Sequence, residues 1–314
     1  MGRAMRAARV NRLGPPDVIA IEDIAVPSPG EQDVLVRVRA AGVGPWDALV
    51  RTGRSGLPLT LPVTLGAEIS GIVERVGGKT SGFAAGDEVF GATNSLFVDG
   101  YAEYAVATGR MIAKKPAALS HLQAAALPIV AVTAWQMLFD HAQVRGGQTV
   151  VVHGGAGNVG AYAVQFARSR KLSVIATIHG DDADYVRNLG AEHVINTKTQ
   201  DFADFVQQAD AVIDTVGGKM QDQLFTLAKP GGIVVSAVVR PNAQLASQYG
   251  VRSDYFIVDV NNAQLAEIAG MFEKKQLTIP VGSVLPLSEA RAAHEMMAGS
   301  RPHVRGKIIL AVDG

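Results

Sequence analysis

One glycine-rich turn constrains the fold of this chain more than any other stretch. An apolar run from Val150 to Val152, with Thr149 before it, predicts a buried parallel strand. A G-x-G-x-x-G spacing follows directly, in Gly155, Ala156, Gly157, Asn158, Val159 and Gly160. Apolar residues then recur at helical spacing, at Val159, Tyr162, Ala163, Phe166 and Ala167. Glycine lets a pyrophosphate approach the backbone, and a helix N-terminus offers N–H donors. This strand, turn and helix therefore predict a dinucleotide site, with an unliganded turn as the alternative.

Length and composition exclude several classes of protein. The 314 residues suffice for about two domains, and 48% of them are hydrophobic. Lys and Arg number 29, as do Asp and Glu, so no net charge favours nucleic acid or membrane as a partner. The chain has no Cys, which excludes disulfides, thiolate nucleophiles and cysteine zinc ligands. Its longest apolar stretch, 124–132, is shorter than the ~20 residues that cross a bilayer. We expect a cytoplasmic protein that acts on a small molecule.

The pattern of predicted elements changes along the chain. Residues 5–125 contain short strands and turns, which predict a barrel-like β lobe. From about Ser120, strands alternate with helices, which predicts βαβ units and a parallel sheet covered on both faces. No long linker separates the parts, so we expect the lobes to pack along a ligand-binding cleft. The expected helices cover 124–140, 182–189, 202–206, 220–228, 265–272 and 288–298, and the expected strands of this part cover 172–178, 193–196, 211–213, 233–239 and 307–312.

The order of short motifs resembles the medium-chain dehydrogenase/reductase superfamily, in its zinc-free quinone oxidoreductase branch. The motifs that carry the resemblance are Ala41–Asp47, Pro62–Glu68, Gly86–Phe90, Gly100–Tyr104, Ala124–Pro128, Leu189–Ala191 and Arg305–Ile308. The resemblance implies a GroES-like catalytic domain at 1–125, completed by 263–314, and a Rossmann doubly wound parallel-sheet domain at 126–262. It also implies a homodimer formed through the edge of the Rossmann sheet, for which we expect 232–239 to be the edge strand.

The zinc ligands of the superfamily's alcohol dehydrogenases are missing from the matching motifs. Those enzymes carry a Cys after the first motif and a His in a Gly-His-Glu motif, whereas this chain has Ala67 before Glu68 and no Cys. We therefore expect no metal. Without a Lewis acid a simple ketone is hard to polarise, whereas a quinone or an α,β-unsaturated carbonyl spreads the incoming charge by conjugation. The prediction is NAD(P)H-dependent reduction of such an acceptor.

The resemblance also implies which residues form the site. Gly44, where many relatives carry Asn, and Thr133 are expected near the nicotinamide. Residues at later strand ends are expected around its ribose and carboxamide, namely Val216, Ala237, Val238, Phe256 and Ile257. The catalytic candidates are Trp46, Asp47 and Tyr101. Trp46 could stack on a flat substrate or wedge the lobes, Asp47 could orient a water or cap a helix, and Tyr101 could donate a proton or only pack.

The cofactor is expected to be NADP(H), with NAD(H) as the alternative. The end of the second Rossmann strand, Ile178 and His179, has no acidic residue for the ribose hydroxyls. The Lys and Tyr with which relatives bind the 2′-phosphate are replaced by Asp182 and Thr197, so His179 or Arg187 would have to substitute.

Two alternative functions remain open at this point. The first is an enoyl-thioester reductase, with Arg51 and Arg54 as a basic entrance for the thioester carrier. The second is a cofactor-binding protein without turnover, because the glycines of the turn are intact while the substrate loop has lost a polar group at Gly44.

Overall fold

The chain divides into two units in this computed structural model, which describes residues 3–201 and 208–312. The first unit contains Met1–Ile129 and Val260–Gly314, and the second contains Val130–Asp259. The helix expected at 202–206 lies outside the described residues.

Short strands make up most of the amino-terminal part of the first unit. In chain order its elements are β1 (Ala4–Val10), β2 (Ile19–Ala25), β3 (Asp33–Val43), α1 (Pro45–Arg51), β4 (Val63–Thr64), β5 (Glu68–Val76), β6 (Glu88–Ala92), β7 (Tyr104–Thr108), β8 (Ile112–Lys114) and α2 (His121–Ala124). Side chains alternate along the second half of β3, where Val36 and Val38 are buried in the core while Arg37 and Arg39 are half-buried.

The second unit alternates strands with helices. Its elements are α3 (Pro128–Trp135), which begins at the boundary, β9 (Thr149–His153), α4 (Asn158–Ser169), β10 (Ser173–Ile178), α5 (Ala183–Leu189), β11 (His193–Asn196), β12 (Ala209–Asp214), β13 (Ala228–Ser236), α6 (Ala243–Gln248) and β14 (Arg252–Tyr255). The apolar residues Val150, Val151 and Val152 of β9 are 0% exposed, as expected for a central parallel strand buried on both faces.

The last residues return to the first unit and complete its larger sheet. They form α7 (Asn262–Glu273), β15 (Val281–Pro286), α8 (Ala290–Met297) and β16 (Lys307–Ala311). In the described residues this sheet runs β15-β16-β3-β5-β6-β8, with β7 also paired to β3, and a smaller sheet runs β2-β1-β4. Strand β16 pairs antiparallel with β3, with Ile309 opposite Gly42. The carboxyl-terminal strand therefore lies beside the strand that leads into α1.

The sheet of the second unit is parallel and has the order β11-β10-β9-β12-β13-β14. The order reverses at β9, which is followed by the glycine turn. In open α/β sheets a ligand binds outside the carboxyl ends of the strands at such a reversal. The fold thus brings the predicted dinucleotide turn to the place where this sheet type binds ligands.

Three sequence-based expectations differ from the structure. The helix expected at 124–140 is divided into α2, α3 and a π-helical turn at Gln136–His141. The break between α2 and α3 falls at Pro128, which lacks the N–H that a continuous helix needs. The helix expected at 220–228 is a 3-10 helix at Gly218–Leu227. The strand expected at 232–239 is not an edge, because β14 pairs with β13 on its outer side.

None of the helices in the described residues is both long and apolar enough to span a bilayer.

Candidate functional site

The glycine turn packs tightly between β9 and α4. Gly154 has a φ of +86°, and a Cβ on Gly160 would lie 2.1 Å from the carbonyl oxygen of Gly154. Only glycine at position 160 lets the first turn of α4 approach the loop this closely. Gly157 is the N-cap of α4 and has no side chain with which to cap the helix. The N–H groups of the first turn are therefore available to an anion.

A cavity of about 270 Å³ opens beside this turn, at the carboxyl ends of the central strands. Its lining is mostly apolar and comes from His153, Gly154, Thr177, Ile178, His179, Thr197, Val216, Gly217, Lys219 and Met220. The sequence predicted Ile178, His179 and Val216 at a cofactor site, and the structure brings all three into one cavity. It missed Lys219, an exposed cation that follows the glycine pair after β12. Its place just after a predicted parallel strand could have indicated it, because ligands bind at the carboxyl ends of such strands.

His153 and Thr177 form a hydrogen-bonded pair that lines the cavity. Its Nδ1 lies 2.7 Å from the hydroxyl oxygen of Thr177, and the same hydroxyl oxygen accepts the Gly154 N–H at 3.2 Å. Burial lowers the pKa of His153, and the nearby Asp214 carboxylate opposes this in part. Asp214 is itself buried and accepts the N–H groups of Val216 and Gly217 at 3.1 and 2.8 Å. These contacts fix the two loops that border the cavity.

Three predicted apolar residues each lie two positions beyond the end of one of three neighbouring strands. Asp214, Ser236 and Tyr255 are paired across β12, β13 and β14, and each is followed two residues later by one member of the set Val216, Val238 and Ile257. The three side chains are 52%, 46% and 58% exposed. Aliphatic residues exposed in a row at the ligand-binding edge of a sheet are suited to a flat ring. We call Val216, Val238 and Ile257 the apolar row.

The other predicted cofactor residues have more ordinary surroundings. Thr133 is buried in α3, and Ala237 is half-buried beside the apolar row. Phe256 is 9% exposed and stacks on His141, with ring centroids 3.9 Å apart. His141 is held in turn by Asp254 at 2.8 Å. Phe256 therefore packs within the second unit and is less accessible than its neighbour Ile257.

The first unit brings two of the three catalytic candidates together. Oδ2 of Asp47 accepts the Gly44 N–H at 2.8 Å and the Tyr101 hydroxyl at 2.7 Å. Asp47 is 3% exposed and Tyr101 is 0% exposed. The bond to Gly44 caps the amino-terminal turn of α1, which is the capping role considered for Asp47. The other carboxylate oxygen, Oδ1, is buried and has no hydrogen-bond partner among the described residues.

Trp46 lies apart from this pair. Its indole is half-buried and meets the ring of Phe97 edge-on, with centroids 5.8 Å apart. It also packs against the apolar core of the first unit. These contacts lie within the first unit and correspond to neither of the two roles considered for Trp46, which stay predictions.

A buried ion pair next to Gly44 is the feature that the sequence did not predict. Lys307, the first residue of β16, bonds through Nζ to Oε2 of Glu68, and Oε1 of Glu68 accepts the Ile129 N–H at 2.9 Å. Glu68 and Lys307 are 3% and 2% exposed. A Cβ on Gly44 would lie 3.3 Å from Lys307 Nζ. Glu68 and Lys307 both belong to motifs that were used only to recognise the family resemblance. Because they are 239 positions apart, no local pattern predicts that they pair.

The buried carboxyl of Asp47 is electrostatically unusual. Burial raises its pKa to about 6, opposed by the hydrogen bonds from Tyr101 and Gly44 and by the charge of Lys307, while the charge of Glu68 acts with burial. Burial and the neighbouring Asp47 also raise the pKa of Tyr101 well above its usual range. The Asp47–Tyr101 pair can therefore hold a proton close to neutral pH.

The donor set next to Gly44 does not suit a zinc ion. Gly44 and Ala67 offer no ligand atoms, and an ammonium group from Lys307 engages the carboxylate of Glu68. Across the described ranges, no three His, Cys, Asp or Glu side chains cluster as metal ligands would.

The prediction that Arg51 contributes to a basic entrance for a thioester carrier is wrong. This side chain is 4% exposed, donates to the carbonyl oxygen of Gly14 at 2.6 Å and donates to Nδ1 of His294 at 3.3 Å. Arg54 remains exposed. Arg187, considered for the 2′-phosphate, pairs on the surface with Asp184 at 2.9 Å.

Comparison with protein-family models gives two matches. Residues 30–117 match the alcohol dehydrogenase GroES-like domain, and residues 189–310 match the family described as zinc-binding dehydrogenase.

Comparison with individual proteins gives matches over the whole chain. A quinone oxidoreductase from Mus musculus is 33% identical, and one from Pongo abelii is 32% identical, each over 98% of both chains. Among solved structures, the quinone oxidoreductase from Coxiella burnetii is 32% identical, with a TM-score of 0.92 over 99% of this chain and 100% of that one.

Proposed function

The chain belongs to the quinone oxidoreductase family of the medium-chain dehydrogenase/reductase superfamily, and on that premise we propose that it reduces a quinone or an α,β-unsaturated carbonyl with NAD(P)H and without zinc. The second unit is proposed as the cofactor-binding domain and the first as the catalytic domain. The observation that carries the proposal is the mostly apolar cavity at Gly154, the first glycine of the turn that leads into the uncapped N-terminus of α4.

The second unit has the features that a nicotinamide dinucleotide needs. The first turn of α4 offers N–H donors to the pyrophosphate, and the cavity offers apolar walls to the adenosine. The apolar row gives the nicotinamide a surface that excludes water. When bound, the cofactor supplies a hydride to the acceptor. The protein then has to orient the acceptor and to provide one proton for each hydride transferred.

NADP(H) is proposed as the preferred form, with NAD(H) as the alternative. Besides the buried His153, whose pKa is lowered by burial, two groups that can carry positive charge line the cavity, His179 and Lys219, and no carboxylate does. A carboxylate would repel a 2′-phosphate, whereas an ammonium attracts it. His179 also contacts Thr197 at 3.3 Å through Nδ1, which holds the ring at the cavity wall.

The first unit is proposed to supply the proton. The Asp47 carboxyl can take up a proton close to neutral pH while it accepts the Tyr101 hydroxyl, and the bond from the Gly44 N–H joins it to the loop expected at the nicotinamide. Conjugated acceptors fit this site better than simple ketones, since the ammonium beside Gly44 leaves no ligand set for a Lewis acid. The burial of Arg51 removes part of the support for a thioester substrate.

A homodimer in the cytoplasm is proposed as the working form. Strand β14 pairs only with β13 among the described strands, so its outer edge offers backbone groups to a second copy. Light scattering on the purified protein tests this, with twice the mass of the chain expected and the mass of one chain contradicting it.

The proposed activity is tested with a panel of quinones and enones, using NADPH and NADH in parallel after treatment with a chelator. We expect cofactor oxidation that depends on the acceptor and is unchanged by the chelator. Binding of either cofactor without turnover on any acceptor would favour the cofactor-binding alternative, and loss of activity with the chelator would contradict zinc independence.

A further inference from the structure

The Glu68–Lys307 pair lies in the interior of the first unit, where it is poorly explained as a stabilising contact. Removing two charges from water costs several kcal/mol each, so a buried pair often contributes no more than two apolar residues of the same size. Both side chains are at most 3% exposed. The two charges are therefore expected to act on a group in their immediate surroundings.

Three charged side chains meet around Gly44. A Cβ at that residue would lie 3.3 Å from Nζ of Lys307, 3.9 Å from Oε2 of Glu68 and 4.0 Å from Oδ2 of Asp47. All three atoms are thus within 4.0 Å of one point, in a region that water does not reach. Charges this close and this well buried interact strongly, because little solvent screens them.

The two members of the pair act on Asp47 with opposite sign. The positive charge of Lys307 favours the ionised carboxylate, whereas the negative charge of Glu68 favours the carboxylic acid. With both present the two effects oppose each other, and the larger influences on the pKa of Asp47 are burial and the hydrogen bonds from Tyr101 and Gly44.

We propose that Glu68 and Lys307 are positioning residues whose paired charges control whether the Asp47 carboxyl, which accepts the Tyr101 hydroxyl, takes up a proton of its own. The catalytic meaning of this control rests on the proposed function, because a proton held at Asp47 matters to turnover only if a hydride acceptor needs one. The electrostatic effect itself does not depend on that function.

The groups that face Asp47 come from several elements. Tyr101 approaches from the loop before β7, Glu68 from β5 and Lys307 from β16. Arg51, on α1 like Asp47, is directed to Gly14 and His294 instead. The His294 ring lies edge-on to Tyr101 with centroids 6.1 Å apart, and burial lowers its pKa to about 3, so it stays neutral over the range of interest.

Two single substitutions test the proposal because they must move Asp47 in opposite directions. Lys307→Met leaves the charge of Glu68 uncompensated and should raise the apparent pKa of Asp47 by about one unit or more. Glu68→Gln keeps an acceptor for the Ile129 N–H, leaves the charge of Lys307 uncompensated and should lower that pKa by a similar amount. The double variant has no charge at either position and should therefore fold more readily than the single variants. The pKa of Asp47 should return close to its value in the parent protein.

The readout does not require turnover. Infrared spectroscopy follows the protonated carboxyl of Asp47 across a pH titration, and the Asp47→Asn variant identifies its band. Glu74→Gln is the matched control, since Glu74 lies on the same strand as Glu68 but is exposed and pairs with Arg3. It should leave the band unmoved.

The outcomes separate this proposal from the proposed function. Opposite shifts, cancelled in the double variant, support the electrostatic control. Shifts in the same direction, or none in either single variant, overturn it and leave the pair with a structural role only. If the shifts occur but no acceptor is reduced, the control stands and the proposed function fails. If an acceptor is reduced but the shifts do not occur, the proposed function stands and the electrostatic control fails.

Discussion

The Tyr101 hydroxyl donates to Oδ2 of Asp47 at 2.7 Å, which ties the loop before β7 to the first turn of α1. Both residues are buried, so the bond is protected from competition with water. The loop of Gly44 is fixed by the same oxygen atom. A single carboxylate therefore determines the position of the segment that family resemblance places next to the nicotinamide.

Replacing Tyr101 with Phe should raise the pKa of Asp47 above about 6, because the lost hydrogen bond is one that lowers it. The free energy of unfolding should fall by about 1–2 kcal/mol, since a buried acceptor loses one of its two donors. Turnover should decrease, with its pH dependence displaced to higher pH. Urea unfolding and a pH–rate profile measure these effects. Unchanged turnover would exclude a role for Tyr101 in proton donation.

Replacing Asp47 with Asn should change how stability depends on pH. The folded pKa of Asp47, about 6, is raised above the ordinary value of 3.8, so its contribution to stability is fully present below pH 4 and is lost as pH rises through 6. Asn has no such loss. Relative to the parent protein, the variant should gain on the order of 2 kcal/mol between pH 4.5 and 7.5. Urea unfolding at the two pH values measures this, and a constant difference would show that Asp47 ionises normally.

Replacing Gly160 with Ala should damage the dinucleotide turn. The new Cβ would lie 2.1 Å from a backbone oxygen that cannot move aside cheaply, so α4 would shift. We expect a loss of about 1–3 kcal/mol in unfolding free energy and weaker binding of NADPH and NADH alike. Gly270→Ala in α7 is the matched control, because its Cβ would meet nothing within 4 Å and should leave binding unchanged. Full cofactor affinity in the Gly160 variant would contradict the close packing of the turn.

Replacing Lys219 or His179 with Ala should separate the two cofactors. Each change removes a group that can carry positive charge from the cavity wall, so NADPH should lose about tenfold in affinity while NADH changes little. Lys229→Ala is a control, because Lys229 lies at the amino end of β13, away from the carboxyl strand ends that border the cavity, and pairs with Asp210. Fluorescence titration with both cofactors measures the effect. Equal losses for NADPH and NADH would mean that neither side chain recognises the 2′-phosphate.

The sequence predicted the features of the site that depend on local spacing. The glycine turn, the buried β9 and the amphipathic face of α4 are all encoded within 20 residues, so their pattern is visible without a structure. The apolar row was identified through family resemblance, and the parallel register of β12, β13 and β14 explains why its members are equivalent. The GroES-like and Rossmann architecture was confirmed.

Features that depend on distant or short segments were missed. Glu68 and Lys307 come together only when β16 pairs with β3, which no local pattern reveals. Strand β14 has only four residues, RSDY, three of them polar, and none is fully buried, so it lacks the apolar signal of a strand. Arg51 was predicted at a basic entrance because the sequence alone does not show that its side chain is buried and bonded to Gly14 and His294.

The transfer of deuterium to an enone tests the central claim most directly. The protein, treated with a chelator, is given NADPH that carries deuterium at both C4 positions, together with an α,β-unsaturated ketone that the panel shows to be reduced. We predict one deuterium on the β-carbon of the product and none on the α-carbon, which takes its proton from the protein or solvent. A product without deuterium at the β-carbon, or a reaction that returns only when zinc is added, would contradict metal-free hydride transfer.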